Sequence, residues 1–324
     1  MANLEDLPIR DDLRGRKPYG APQLSVPIAL NVNENTHRIP ESAALEIVEQ
    51  LAAAVLSLNR YPDREFMGLR EALAKYLSKD LRPEQIWAAN GSNEVLQQIF
   101  QAFGGHGRTA LGFEPTYSMY SIIAQITGTQ YVAGSRGESF ELTPQLIVEQ
   151  IRNHRPDIVM LCSPNNPTGT PLSLSCIEAA YDATEGIVVV DEAYAEFAWA
   201  GESSAVTLLA GRPRLLISRT MSKAFAFAGA RLGYLAADEA AVDALRLVRL
   251  PYHLSALTQA AATAALKHSD AMLAMVDAIR TQRDRIILEL TEMGLSPYRS
   301  DANFVLFGGL ENSNAVFQNL LAAG

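Results

Sequence analysis

Cysteine is scarce in this chain of 324 residues, which carries only Cys162 and Cys176. Their number and spacing suit neither a disulfide framework nor a zinc site, so both are expected to act as small buried hydrophobes. Long hydrophobic runs are also lacking. No window approaches the roughly 18 consecutive apolar residues of a membrane-spanning helix. Residues 1–16, rich in Asp, Glu and Arg, have no apolar signal-peptide core. Basic charge is in deficit: 27 Lys and Arg against 36 Asp and Glu leave a net charge of −9. A nucleic-acid partner usually demands a basic footprint, and none is visible. Internal repeats, low-complexity tracts and a G-x-x-x-x-G-K-[ST] phosphate loop are missing too. What remains is the expectation of a soluble globular protein of a reducing compartment, with no zinc site.

Hydrophobic residues make up 48% of the chain and charged residues 19%, enough for one large domain or two smaller ones. The first 40 residues, with prolines at 8, 18, 22, 27 and 40, read as an extended arm. Helical periodicity then appears over 41–58 and 65–77. Short apolar runs at 109–113, 158–162, 187–190, 215–218 and 232–236 read as strands buried on both faces. Helical stretches between them predict βαβ crossovers and a mostly parallel sheet. Beyond Pro251 the texture changes: 255–290 is almost all helix former, broken near His268-Ser269, followed by a strand over 303–307 and a helix over 314–322. The fold class is therefore α/β, a mostly parallel central sheet flanked by helices plus a smaller α/β domain. The expected divisions are an arm over 1–36 that joins the small domain, a large domain over 37–251 and a small domain over 252–324.

Four segments carry chemistry. Ser218-Arg219-Thr220-Met221-Ser222-Lys223-Ala224-Phe225 follows a strand, with Arg231 eight residues past the lysine. Hydroxyls and a bidentate arginine suit a phosphate dianion. Cationic neighbours lower a lysine's pKa and favour the free amine that forms Schiff bases. The same residues also suit an ordinary solvated loop. Val188-Val189-Val190-Asp191-Glu192-Ala193-Tyr194 places a carboxylate at a strand's carboxyl end, where open α/β sheets bind ligands. A pyridinium nitrogen needs such a partner, and Tyr194 is positioned to donate to a phenolic oxygen on the ring. The alternative for Asp191, a magnesium ligand, lacks its phosphate loop. Ser163-Pro164-Asn165-Asn166-Pro167-Thr168-Gly169 is a strong turn signal that can aim Asn166 inward. In Asn90-Gly91-Ser92-Asn93-Glu94, Ser92 or Asn93 is the expected helix N-cap, at a helix start that also suits phosphate. Tyr117, just after a strand, either stacks on a flat ring or fills the core.

Taken together and in this order, Asn90-Gly91-Ser92-Asn93-Glu94, Pro115-Thr116-Tyr117, Asn165-Asn166-Pro167-Thr168-Gly169, Asp191-Glu192-Ala193-Tyr194 and Ser222-Lys223 with Arg231 resemble the fold-type-I aminotransferases. These enzymes use pyridoxal 5′-phosphate (PLP). Leu30-Asn31-Val32-Asn33-Glu34-Asn35, Arg60-Tyr61-Pro62-Asp63, Pro251-Tyr252-His253-Leu254-Ser255 and Ser300-Asp301-Ala302-Asn303-Phe304-Val305 narrow the resemblance to the actinobacterial histidinol-phosphate aminotransferases. It runs from Leu7 to Gly324.

The resemblance implies that Lys223 carries the cofactor and shuttles a proton, while Asp191 pairs with the ring nitrogen. Asn166 and Tyr194 bond the ring oxygen, and Tyr117 stacks on the ring. Ser92, Asn93, Thr220, Ser222 and Arg231 hold the phosphate. Tyr61 reaches the cofactor of the other subunit of a homodimer, and Tyr19, Asn33, Asn93 and Tyr252 touch substrate. The implied reaction is transamination between L-histidinol phosphate and 2-oxoglutarate, a cytoplasmic step of histidine biosynthesis. Two departures stand out. Asn35-Thr36-His37 replaces the family's Asn-Pro, and the chain stops at Gly324, before a strand and helix that carry two substrate-binding arginines in the family. The resemblance therefore leaves open an aromatic or other type-I aminotransferase, and a truncated PLP-binding protein with little turnover.

Overall fold

The computed structural model describes residues 3–20, 22–78, 80–199 and 204–324. In chain order come α1 (Glu41–Val55), α2 (Met67–Leu77), β1 (Ile86–Ala89), α3 (Ser92–Phe103), β2 (Thr109–Glu114), α4 (Met119–Ile126) and β3 (Gln130–Ser135). Then follow α5 (Pro144–His154), β4 (Ile158–Cys162), α6 (Leu174–Ala183), β5 (Ile187–Asp191), β6 (Leu215–Thr220), β7 (Gly233–Ala237) and α7 (Glu239–Val248). The chain continues through α8 (Ala256–Lys267), α9 (Ser269–Glu292), β8 (Ser296–Pro297), β9 (Phe307–Gly308) and α10 (Ser313–Ala323). Among the described residues, no helix is long and apolar enough to cross a membrane.

Seven strands form one sheet in the order β1-β7-β6-β5-β4-β2-β3. The pairs β2–β3, β2–β4, β4–β5 and β5–β6 are parallel. Only β7 runs the other way, antiparallel to both β6 and β1. Every residue of β1, β4, β6 and β7 is buried, as expected for a sheet covered on both faces. The carboxyl ends of β1, β2, β4, β5 and β6 share one edge of the sheet with the amino end of β7. The close approach there depends on Gly233, where a Cβ would sit 2.1 Å from the Ser92 nitrogen at the start of α3.

Some expected boundaries move for local reasons. The helix expected from 65 starts at Met67, because the Asp63 carboxylate accepts the Glu65 and Met67 N–H groups and Phe66 is left-handed (φ 41°). The strand expected over 303–307 shrinks to Phe307–Gly308. The backbone before it is drawn into a turn, with the Ser300 hydroxyl donating to the Phe304 carbonyl. Two compact units result: Met1–Asn33 with Leu310–Gly324, and Glu34–Gly309. This division differs from the break expected near 251, because α8 packs along α1 and α2 inside the larger unit.

The strand ends of β5 and β6 are tied by a buried ion cluster. Arg219 on β6 donates through Nη2 to Glu192 at 2.7 Å and through Nη1 to Glu196 at 3.1 Å. The Ala205 N–H and the Ser204 hydroxyl complete Glu192, and the Tyr76 hydroxyl reaches Glu196. Burial pushes the Glu196 carboxyl up, and the two carboxylates hold Arg219 firmly charged. Removing the arginine strands two buried carboxylates, so Arg219→Ala should lower the unfolding free energy by about 3–5 kcal/mol in urea titrations. A loss below about 1 kcal/mol would show that the cluster does not anchor the loops after β5 and β6.

Candidate active site

Asp191 ends β5, flanked in register by Cys162 of β4 and Ser218 of β6. It is 2% exposed. The Tyr120 hydroxyl donates to Asp191 Oδ2 at 2.8 Å from α4. Asp191 Oδ1 is equally buried and has no hydrogen-bond partner among the described residues. Burial raises the carboxyl to about 6, while the Tyr120 hydroxyl and the Ala193 N–H act in the opposite direction. An unpaired buried carboxylate oxygen is costly unless a donor meets it. Tyr120 was not singled out in the sequence. Its place six residues after Glu114-Pro115, among apolar helix residues, reads there as core. Cys162 is buried beside the same carboxylate, which together with burial pushes its thiol up to about 12. Both cysteines are free and buried, in line with the sequence reading.

Lys223 lies in the turn between β6 and β7. Its pKa falls to about 8, chiefly through burial, with Arg231 adding to the fall and Glu34 opposing it. The cationic neighbourhood expected from the sequence is thus the lesser cause. The Asn35 side-chain amide donates to the Lys223 and Ala224 carbonyls at 3.2 and 3.3 Å and holds the turn from the far end of the chain. The Thr220 hydroxyl bonds Ser222 at 3.0 Å and the Leu232 carbonyl at 3.2 Å, closing the turn onto β7.

Arg231, itself left-handed (φ 55°), lays its guanidinium over the start of α3. A Cβ on Gly91 would meet Arg231 Nη2 at 2.5 Å, and Gly91 has φ 86°. Gly91 is the N-cap, with no side-chain cap. Ser92 and Asn93, expected as caps, instead occupy the first turn, because the chain needs a glycine conformation to pass under the arginine. Uncapped helix N–H groups with the Arg231 guanidinium lying over them suit a phosphate dianion.

The loop after β4 supplies the next wall. Asn165 is fully buried and spent on structure: it accepts from Thr116 and donates to Pro115 and Thr168. Asn166 is thereby aimed at Tyr194, with its Nδ2 3.5 Å from the Tyr194 hydroxyl. The Tyr194 ring also lies 5.9 Å from Lys223 Nζ. The turn at Ser300–Phe304 supports both residues. The Asp301 N–H donates to the Gly169 carbonyl at 2.8 Å, and Phe304 packs edge-on against Tyr194. The Tyr117 hydroxyl bonds Asn93 Oδ1 at 3.2 Å, linking the loop after β2 to the start of α3. Tyr61 is 80% exposed and stacks on Tyr252 at 4.5 Å. Tyr19 and Asn33 belong to the smaller unit, Tyr19 exposed and Asn33 left-handed (φ 54°). Among the described residues, no group of three or more His, Cys, Asp and Glu side chains could hold a metal ion.

Residues 25–324 match the family described as Aminotransferase class I and II. The chain belongs to that family. Curated relatives narrow the likeness. A histidinol-phosphate aminotransferase of Paenarthrobacter aurescens is 61% identical over 327 residues, covering 100% of this chain and 88% of the relative. That of Thermobifida fusca is 54% identical, over 99% and 88%. Among solved structures, the histidinol-phosphate aminotransferase of Sinorhizobium meliloti in complex with pyridoxal-5′-phosphate superposes with a TM-score of 0.82 at 26% identity, covering 90% of this chain and 79% of that one. An aspartate aminotransferase of Thermus thermophilus with maleate gives 0.78 at 25% identity, over 91% and 81%. The resemblance read from the sequence, to type-I aminotransferases of the actinobacterial histidinol-phosphate kind, is borne out by these relatives.

Two outcomes follow for this aminotransferase. The folded Asp191 carboxyl titrates above its unfolded value of about 3.9. Its contribution to stability is therefore complete below that pH and lost as pH rises through about 6. Relative to D191N, the cofactor-free protein should lose on the order of 3 kcal/mol between pH 4 and 7 in urea unfolding. Y120F, lacking the opposing hydroxyl, should move that transition higher; a gap independent of pH would refute the burial argument. Separately, amine labelling at Lys223, followed by peptide mass spectrometry, should rise with pH through a midpoint near 8. A midpoint above 10 would mean the amine is solvated.

Proposed function

We propose that the chain is a PLP-dependent histidinol-phosphate aminotransferase, exchanging an amino group between L-histidinol phosphate and 2-oxoglutarate. The observation that carries the reading is Asp191 Oδ1, a buried carboxylate oxygen without a donor, on the same sheet edge as a partly buried lysine of lowered pKa. A protonated ring nitrogen supplies the missing donor, and the Gly91–Arg231 cradle suits the phosphate, so the residues present fit this cofactor. Full-length relatives that carry this name at 54–61% identity support the substrate class.

When bound, PLP supplies an exchangeable aldehyde and a protonated ring that draws electrons from the reacting carbon. Asp191 keeps the ring nitrogen protonated through Oδ1, with Tyr120 fixing the carboxylate's other oxygen. Asn166 and Tyr194 hold the ring oxygen, and Tyr117 covers the ring face. Arg231, Ser222, Thr220, Ser92, Asn93 and the first N–H groups of α3 hold the phosphate. Lys223 would hold the cofactor at its aldehyde carbon, and its amine would move a proton between the substrate's Cα and that carbon. Burial keeps a useful fraction of that amine unprotonated near neutral pH. Asn93 and Tyr252 would touch substrate.

The assembly proposed is a homodimer in the cytoplasm. The exposed apolar side chains Leu45, Val48, Leu56 and Tyr61, in and just after α1, suit a second copy of the chain. Tyr61 would then serve the partner's phosphate.

The test is a spectrum of the purified protein loaded with PLP. Absorbance near the cofactor's long-wavelength band should bleach on adding L-histidinol phosphate and return with 2-oxoglutarate, and K223A should abolish the cycle. Preferential bleaching by tyrosine or phenylalanine would point to an aromatic aminotransferase. A band that answers to no amino donor would indicate binding without turnover.

A further inference from the structure

The linker between α7 and α8, Pro251-Tyr252-His253-Leu254-Ser255, is explained by substrate contact only at Tyr252. The residue after it makes the more extensive contacts. His253 stacks on Trp87 of β1, with centroids 5.4 Å apart and 13° between planes, and meets Phe66 edge-on at 5.7 Å. Trp87 and Phe66 are fully buried, and Arg249 covers Trp87 at 5.3 Å. His253 Nε2 lies 2.8 Å from the Ala88 carbonyl. A carbonyl only accepts, so Nε2 carries the hydrogen. The other ring nitrogen, Nδ1, is buried and has no hydrogen-bond partner among the described residues. The ring is thus held by one directed bond and two aromatic faces.

Its backbone performs a second task. The His253 carbonyl accepts the Asn90 side-chain amide at 2.8 Å. Asn90 opens the turn that leads through Gly91 to the first N–H groups of α3, and its own N–H is taken by Glu94. The linker and the phosphate turn are therefore clasped through one residue. Tyr252 is left-handed (φ 58°), an unfavourable conformation for a non-glycine residue. It persists where the neighbour is pinned.

We infer that His253 is a positioning residue that clamps the Asn90–Gly91 turn, and so sets how tightly the α3 cradle holds the phosphate group of the cofactor. The inference rests on the cofactor reading above, and it separates the phosphate from the ring: the clamp acts on the turn beneath Arg231, far in sequence from Asp191 and Lys223.

The experiment compares PLP with pyridoxal, which has the same ring and aldehyde and no phosphate, by spectral titration of the full-length cofactor-free protein. In H253F the ring stack remains and the bond to Ala88 is lost. PLP should bind about tenfold more weakly, the scale of one buried hydrogen bond, and pyridoxal within about twofold of wild type. H253Q, which keeps a donor near the Nε2 position, should retain most of the PLP affinity. N90A removes the other half of the clasp, should reproduce the H253F pattern, and serves as the test if H253F does not fold. Wild-type PLP affinity in both H253F and N90A, or equal weakening of both ligands, overturns the clamp while leaving the cofactor reading intact. A wild-type protein that takes up neither ligand overturns both.

Discussion

A carboxylate held out of water at the end of a buried strand organises this molecule. Ionised, it is unfavourable there, and burial drives the Asp191 proton affinity upward. The Tyr120 hydroxyl and the Ala193 N–H offset part of that cost and restrict the side chain to one pose. One oxygen is left without a hydrogen-bond partner among the described residues. A ligand with a positively charged N–H is then the natural complement. Lys223 stands in the turn after β6, two strand ends away from the phosphate cradle at β1. Asn166 and Tyr194 stand after β4 and β5.

Charge is partitioned with the same economy. Arg219 and Arg231 are twelve residues apart and chemically identical. The first is neutralised inside by Glu192 and Glu196 and serves the fold. The second is exposed, bonded to the Ala228 carbonyl and lying over Gly91, and is free to meet an anion. The difference lies in which way each side chain leaves β6 or the turn beyond it, and no local feature of the sequence distinguishes them.

Much of the architecture was legible beforehand. The runs 158–162, 187–190 and 215–217 are apolar throughout, as suits a strand covered on both faces. The break between α8 and α9 at His268 was legible in the loss of helix formers. Less legible were the elements governed by distant or side-chain contacts. The start of α2 is set by the Asp63 carboxylate, and the shortened strand at Phe307 by the turn that Ser300 closes. The cap at Gly91 follows from the passage of Arg231 overhead. A similar limit applied to Tyr120, whose hydroxyl role depends on a carboxylate 71 residues away.

By itself the sequence determined the alternation of strands and helices and the family. These are properties of pattern and spacing along the chain, and hydrophobic periodicity and motif order preserve them. Only the tertiary structure decided which oxygen of Asp191 lacks a partner among the described residues, that burial more than neighbouring charge lowers the Lys223 amine, and that the His253 carbonyl accepts the Asn90 amide. Each of these depends on desolvation and on hydrogen bonds between residues remote in sequence, quantities that come into being only when the strands share an edge.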